Sequence, residues 1–458
     1  MGRTSARRIG QSLAVLATIG LLATGCGRSS DEKATGTTAA SGTPTTAGSA
    51  ASDRLDQGDF GTLKKVCASG SPSGASDKGV SASSIQIGVV TDKGSDIRPG
   101  LNKEMYDSAV AFSKWCNSHG GINGRKIELT DLDAKLFNYP SVITKGCQTD
   151  FMMVGGGAAI DDGDKGARVK CGLANIAGYA VSDVARTSSL QVMPLPSPVD
   201  KVQAGPFRVL AKLDPEAVKH FGTITGDLAS IKISRDQDEQ AAESAGFKSV
   251  YNDKYAAAGE SNWLPFVDKM KRAGVQVLEL VGEPSAITGL QKAMSTEGWY
   301  PKYTIEASNF YDSKFAAEGG SVAKNTYVRL NFTPLEEAST DPATADYLEM
   351  MKRYNPSGKK ALLGLQAMSA WLLFATSANQ CGNALTRDCV MAKAGAVTSW
   401  TAGGLNAATD PSTNTPAQCF LSVKVTSSGF TYDKATTDPN KGLFNCDPAN
   451  VAKVSATD

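Results

Sequence analysis

Between Ser84 and Phe332 the chain alternates short β-branched runs with stretches of helical period, and this alternation restricts it to one fold class. Ser84–Val90, Arg125–Leu129, Phe151–Val154 and Asn175–Ala180 read as strands bounded by turn residues. Between the first two, Met105, Ala109, Phe112 and Cys116 recur at helical spacing, which predicts a helix to about Ser118. The pattern resumes with strands at Phe221–Thr225, Ser249–Tyr255, Val275–Val281, Tyr303–Ala307 and Tyr327–Phe332. Helices are predicted over about Ser230–Ala245, Trp263–Ala273, Ala286–Thr296 and Asp312–Ala317. Such alternation means parallel sheets with helices on both faces. Two runs of it, parted by the proline-rich Met193–Pro198, make two lobes, as a chain of 458 residues can accommodate.

The charge balance narrows the function. With 47 Lys+Arg against 46 Asp+Glu, a net charge of +1 leaves no strong case for a nucleic-acid partner. Two histidines, His119 and His220, are too few for a histidine zinc site or a triad hydrolase. No phosphate loop, G-x-S-x-G elbow or H-E-x-x-H is present, and no acid/base or nucleophile constellation stands out, so no cofactor, metal or catalytic residue is assigned. Asp161-Asp162-Gly163-Asp164 lacks the spacing of a calcium loop and reads as an exposed acidic turn.

The amino terminus reads as an export signal. Arg3, Arg7 and Arg8 precede an uncharged stretch, Ile9 to Gly25, with an apolar heart too short to span a membrane. It ends in Leu22-Ala23-Thr24-Gly25-Cys26, which resembles the bacterial lipobox and implies removal of 1–25 and acylation of Cys26. A plain signal peptide or an uncleaved anchor is the alternative. Residues 26–83 then read as a lipid anchor and a flexible Ser/Thr/Gly/Ala tether, poor in apolar side chains over Gly27–Ser52 and again over Ala68–Ser83. The remaining cysteines (Cys67, Cys116, Cys147, Cys171, Cys381, Cys389, Cys419 and Cys446) are even in number, as disulfides in an exported chain would be. Eight cysteines allow 105 pairings. Proximity favours Cys147–Cys171, Cys381–Cys389 and Cys419–Cys446, leaving Cys67–Cys116. Ala361–Thr386 carries no charge before Arg387 and is read as a buried helix rather than a membrane span, because Gln366, Ser369, Thr376 and Ser377 interrupt it.

Ser84-Ile-Gln-Ile-Gly-Val-Val-Thr91, the long helix, and then Gly120-Gly-Ile-Asn-Gly-Arg-Lys-Ile-Glu-Leu129 resemble the type I solute-binding proteins of the leucine/isoleucine/valine-binding lineage, which feed ABC importers. Cys147 and Cys171 sit where some members keep a disulfide near the ligand mouth. The resemblance implies an α/β fold of two Rossmann-like lobes with parallel sheets, joined by three crossovers and closing on a small molecule. By analogy the first lobe is 84–195 with 333–400, and the second 199–330 with 401–458. It implies a permease partner and membrane attachment through the lipid; nothing asks for more than a monomer. A sensor or scaffold on the same fold, without transport, is the competing function.

In such sheets a ligand lies at the carboxyl ends of the strands. Those ends nominate Thr91, Asp92 and Ser95 after the first strand, and Gly156, Gly157 and Ala158 in the glycine run after the third. They also nominate Tyr179 and Ser182 after the fourth and, in the second lobe, Tyr255, Glu283, Asn309 and Tyr311. The glycine run offers backbone N–H groups for a carboxylate. Amino-acid-binding relatives place an acid in the second lobe for the ligand ammonium, but here that place falls nearest Asn309, which leaves Glu283 or Asp92 to replace it and opens the ligand to other small organic solutes.

Overall fold

The computed structural model describes residues 47–455. The leader, Cys26 and the first part of the tether lie outside those residues. Five parallel strands form the first sheet, in the order β2-β1-β3-β4-β5. They are β1 Ser84–Thr91, β2 Lys126–Asp133, β3 Met152–Val154, β4 Ala174–Ile176 and β5 Gln191–Val192. A short β6, Lys201–Gln203, pairs antiparallel with β15, Val451–Lys453.

The second sheet runs β13-β12-β11-β10-β9-β7-β8. Its parallel part is β7 Phe221–Gly226, β8 Ser249–Tyr255, β9 Val277–Val281, β10 Tyr303–Glu306 and β11 Thr326–Leu330. The antiparallel β12 Cys419–Thr426 and β13 Gly429–Tyr432 complete the edge, with β14 Asn445–Cys446 also on β12. The chain passes between the sheets three times, over 193–200, 331–341 and 408–418.

The uncharged stretch forms the helix Leu362–Cys381, with 14 of its 20 residues buried. Trp371 stacks on Phe112 of the helix Lys103–Ser118, with ring centroids 5.4 Å apart. Among the described residues no helix is long and apolar enough to cross a membrane.

Three expectations need correction. Residues 47–83, read as tether, are folded onto the first lobe. Ala51 and Leu55 lie four apart on the helix Ala47–Asp56 and are fully buried, Trp115 Nε1 donates to the Leu55 carbonyl at 2.9 Å, and Arg54 grips Asp346 with bonds of 2.7–3.0 Å. Cys67 is then tied to Cys116, and Ala68 exchanges backbone bonds with Gly121 and Gly124. Gly121 and Gly124 have φ of +75° and +88°, and a Cβ at Gly121 would sit 2.1 Å from the Arg125 carbonyl oxygen, so the Gly-Gly-Ile-Asn-Gly motif is a docking turn for this wrap.

Residues 401–407, expected in the second lobe, stay on the first, where Gly403 accepts from Thr62 N–H and Asn406 accepts from Ser369. The acidic turn is not exposed either: Asp161 and Asp164 are buried. Asp164 forms two 2.7 Å bonds to Arg168 and accepts from Tyr139, while Asp161 accepts from the N–H groups of Val181 and Ser182. The other disulfides join Cys147 to Cys171, Cys381 to Cys389 and Cys419 to Cys446.

Candidate functional site

A cavity of about 340 Å³ opens between the lobes at the carboxyl ends of both sets of parallel strands. The first lobe contributes Leu101 and Tyr179, the second Tyr255, Leu280 and Phe310, and Leu362 closes one side from the helix Leu362–Cys381. Apolar groups therefore make most of the wall, as small-molecule sites require.

Of the residues nominated by strand ends, Tyr179, Tyr255, Glu283 and Asn309 line this cavity. Tyr179 is held by Asn102, whose amide donates to the phenol oxygen at 2.7 Å. Tyr255 packs against Trp263 at 5.1 Å, and Trp263 in turn precedes the helix Leu264–Ala273. Asn309 donates to the Gly282 carbonyl at 2.8 Å and so fixes the loop that carries Glu283. Burial raises the Glu283 carboxyl above its ordinary pKa, while Arg98 opposes the shift.

The other nominees lie outside the wall. Asp92 is fully buried beneath it, accepting from the N–H groups of Leu136 and Ala159 at 2.7 Å each, so both carboxylate oxygens hold loops together. Ser95 accepts from Arg98 N–H, and Ser182 caps the helix Asp183–Arg186 by accepting from Ala185 N–H. Thr91 and Ala158 are core.

The glycine run does not cradle an anion. Gly155, Gly157 and Ala159 N–H already bond Ile176, Val90 and Asp92. Gly156 lies on Val90, and Gly157 lies under the Tyr179 ring, where an added Cβ would stand 2.4 Å from Cδ1. Tyr311 turns away to Glu336, Leu335 N–H and Phe430, beside a separate hollow.

Three basic residues in the wall were not foreseen. Arg98 crosses from the first lobe to Glu283 at 3.0 Å and to the carbonyls of Ala257 and Ala258. Lys359 joins Glu104 on its own lobe (3.1 Å) to Asp312 on the other (2.6 Å). Arg186 reaches Gln237 and Ser234 on the helix Lys232–Ser244, at 2.7 Å each. Arg98 and Arg186 follow strand ends and were within reach of the same rule, whereas Lys359, in a loop between helices, gave no signal. These contacts hold the lobes closed over the cavity. On the far wall Arg329 pairs both Asp238 (2.6 Å) and Glu279 (2.8 Å), and burial with the Asp238 charge pushes Glu279 up to about 8.

Residues 206–430 match the model of a family described as periplasmic binding protein. No curated protein matches the chain. Among solved structures, a fatty acid ABC transporter substrate-binding protein from Thermomonospora curvata is 15% identical, with 80% of this chain and 96% of that one covered at a TM-score of 0.67. A solute binding protein of an ABC transporter from Rhodopseudomonas palustris, in complex with 3,4-dihydroxy benzoic acid, is 14% identical (76% and 95% covered, TM-score 0.63). A branched-chain amino acid transporter substrate binding protein from Streptococcus pneumoniae, in complex with isoleucine, is 15% identical (76% and 100% covered, TM-score 0.61). Identities this low speak for the fold alone. With the family match over 206–430, which takes in the second lobe and the first-lobe helix Leu362–Cys381, and the two-sheet, three-crossing architecture, the chain has the fold of the type I periplasmic binding proteins.

Proposed function

We propose that this protein is an extracytoplasmic receptor that captures a small organic solute between its lobes and delivers it to the permease of an ABC importer. The observation that carries this reading is the largely apolar cavity walled by both lobes, with Arg98, Arg186 and Lys359 bridging them. A hinge at the three crossings lets the lobes part and close, and closure buries the solute. Of the similar structures named above, one is a fatty acid ABC transporter substrate-binding protein, one holds 3,4-dihydroxy benzoic acid and one holds isoleucine, which supports the class of a solute receptor. The export signal and Cys26 support tethering by a lipid on the outer face of the membrane.

The test is a thermal-shift screen of residues 47–458, unfolded and refolded to strip any carried solute, against amino acids, fatty and aromatic acids, amides, sugars and short peptides. A binder at ~100 times its Kd adds ~2.7 kcal/mol and raises the midpoint measurably. Silence across every class defeats the receptor reading. Labelling of the full chain with radioactive palmitate, lost in Cys26→Ser, tests the anchor.

A further inference from the structure

Arg186 is buried without a counter-ion. It ends the helix Asp183–Arg186 and is 8% exposed. Its hydrogen bonds go to two neutral acceptors, the Gln237 amide oxygen and the Ser234 hydroxyl, and its Nε has no partner. Among the described residues that line the cavity it is the one cation with no carboxylate at salt-bridge distance, since Arg98 has Glu283 and Lys359 has Glu104 and Asp312.

The nearby carboxylates are taken. Arg329 holds Asp238, and backbone N–H groups hold Asp161, while Asp183 faces solvent. Burial lowers the Arg186 pKa to about 10, which leaves it charged at neutral pH. A guanidinium withdrawn from water and left unpaired is unfavourable unless an anion joins it.

A cation entering the cavity finds no carboxylate that lacks a cation of its own. Each carboxylate in the wall already faces a cation: Glu283 meets Arg98, Glu104 and Asp312 meet Lys359, and Asp238 and Glu279 meet Arg329. An incoming ammonium would have to share a carboxylate with a cation already bound to it, as at Glu279, whose Oε1 holds Arg329 while its Oε2 is unpartnered. Between the charged and neutral polar groups the wall is hydrocarbon, from Leu101, Leu195, Leu280, Phe310 and Leu362.

From this juxtaposition of one unpaired buried cation and an apolar chamber we infer that the ligand is an apolar monocarboxylic acid without an ammonium group, its carboxylate seated on Arg186. The inference rests on the receptor reading and names the substrate class for the same cavity.

Calorimetric titration of the stripped protein with butanoate, hexanoate, octanoate, octanol, octylamine and leucine tests it. Octanoate binds; each methylene added from butanoate strengthens binding about fourfold until the chamber is full. Octanol binds at least ~30-fold more weakly, and octylamine and leucine fail to bind. Arg186→Gln weakens octanoate at least ~30-fold but leaves octanol unchanged, and Arg186→Lys restores part of the loss. If Arg186→Gln does not fold, the wild-type preference for acid over alcohol decides. Leucine or octylamine binding more tightly than octanoate, or octanoate and octanol binding equally, overturns the inference. A sugar or peptide binding in place of any acid overturns it too while leaving the receptor reading intact; no solute of any class binding removes both.

Discussion

Arg98→Ala removes one of the two charged bridges that join the lobes across the cavity. In the native protein its Nε lies 3.0 Å from Glu283 Oε2, and its terminal nitrogens donate to the carbonyls of Ala257 and Ala258. Coulomb's law at that separation gives ~1.4 kcal/mol at the dielectric constant of water and ~5.5 kcal/mol at a value of about 20. The two side chains are 23% and 28% exposed, so screening by water places the pair toward the lower end. With the two carbonyl bonds included, roughly 2–3 kcal/mol of closure free energy disappears. That shifts the open–closed equilibrium by ~30- to 160-fold, carried in full into the apparent Kd when the open form dominates without ligand. Small-angle scattering reads the shape, calorimetry the affinity, and the fluorescence of Trp263, packed against Tyr255 in the wall, reads closure. Glu283→Gln keeps the shape of the partner without its charge, and the double-mutant cycle isolates the pair at ~1–2 kcal/mol. If Arg98→Ala leaves the scattering curve, the fluorescence and the affinity at their wild-type values, the bridge does not hold the lobes and the reasoning fails.

Further outcomes follow from the same structure. Arg168→Met leaves Asp164 in the core without the two 2.7 Å bonds from its cation and with Tyr139 still donating to it, and lowers stability by ~3–5 kcal/mol, read as a fall in the urea midpoint; an unchanged midpoint would show that the pair is not structural. Replacing Cys67 and Cys116 by alanine opens a loop of 49-residue separation, which the chain-entropy relation values at ~4 kcal/mol, and limited proteolysis then cuts within 57–83, where the oxidised wild type resists. Glu279 is raised from 4.5 to about 8 in the folded state, chiefly by burial, so the folded protein holds a proton that the unfolded chain gives up. Stability accordingly falls as pH rises from about 4.5 to about 8, and Glu279→Gln flattens that part of the profile; an unaltered slope by chemical denaturation contradicts the assignment. Gly157→Ala drives the Tyr179 ring off its seat, so the variant folds but binds the wild-type ligand at least tenfold more weakly, about 1.4 kcal/mol, by calorimetry.

The frame of this fold was legible because burial on both faces of a parallel sheet leaves a local mark. Ile85, Ile87, Val89 and Val90 are all apolar and β-branched, and all four are fully buried in β1. The helix Ala47–Asp56 left almost none, since two buried side chains, Ala51 and Leu55, are its whole apolar stripe in a run that otherwise reads as tether. What holds it is Arg54 on Asp346, a bond across 292 positions that no window of sequence contains.

The site divides in the same way. Strand ends show where the chain leaves a sheet, and that is enough to bring Tyr179, Tyr255, Glu283 and Asn309 to one cavity. Which way a side chain turns there depends on competing partners from distant segments. Asp92 is drawn under the wall by the N–H groups of Leu136 and Ala159, and Tyr311 is drawn aside by Glu336 and Leu335. The glycine run shows the same ambiguity within one motif: an absent side chain suits an anion cradle and a close-packed ring equally well, and only the Tyr179 ring over Gly157 decides between them. Charge is the least local property of all. Arg98 and Glu283 cancel across 185 positions and Lys359 spans both lobes, whereas Arg186 meets only neutral groups. All three are basic residues in the sequence, and the distinction that bears on the ligand is which of them the fold leaves without an acid.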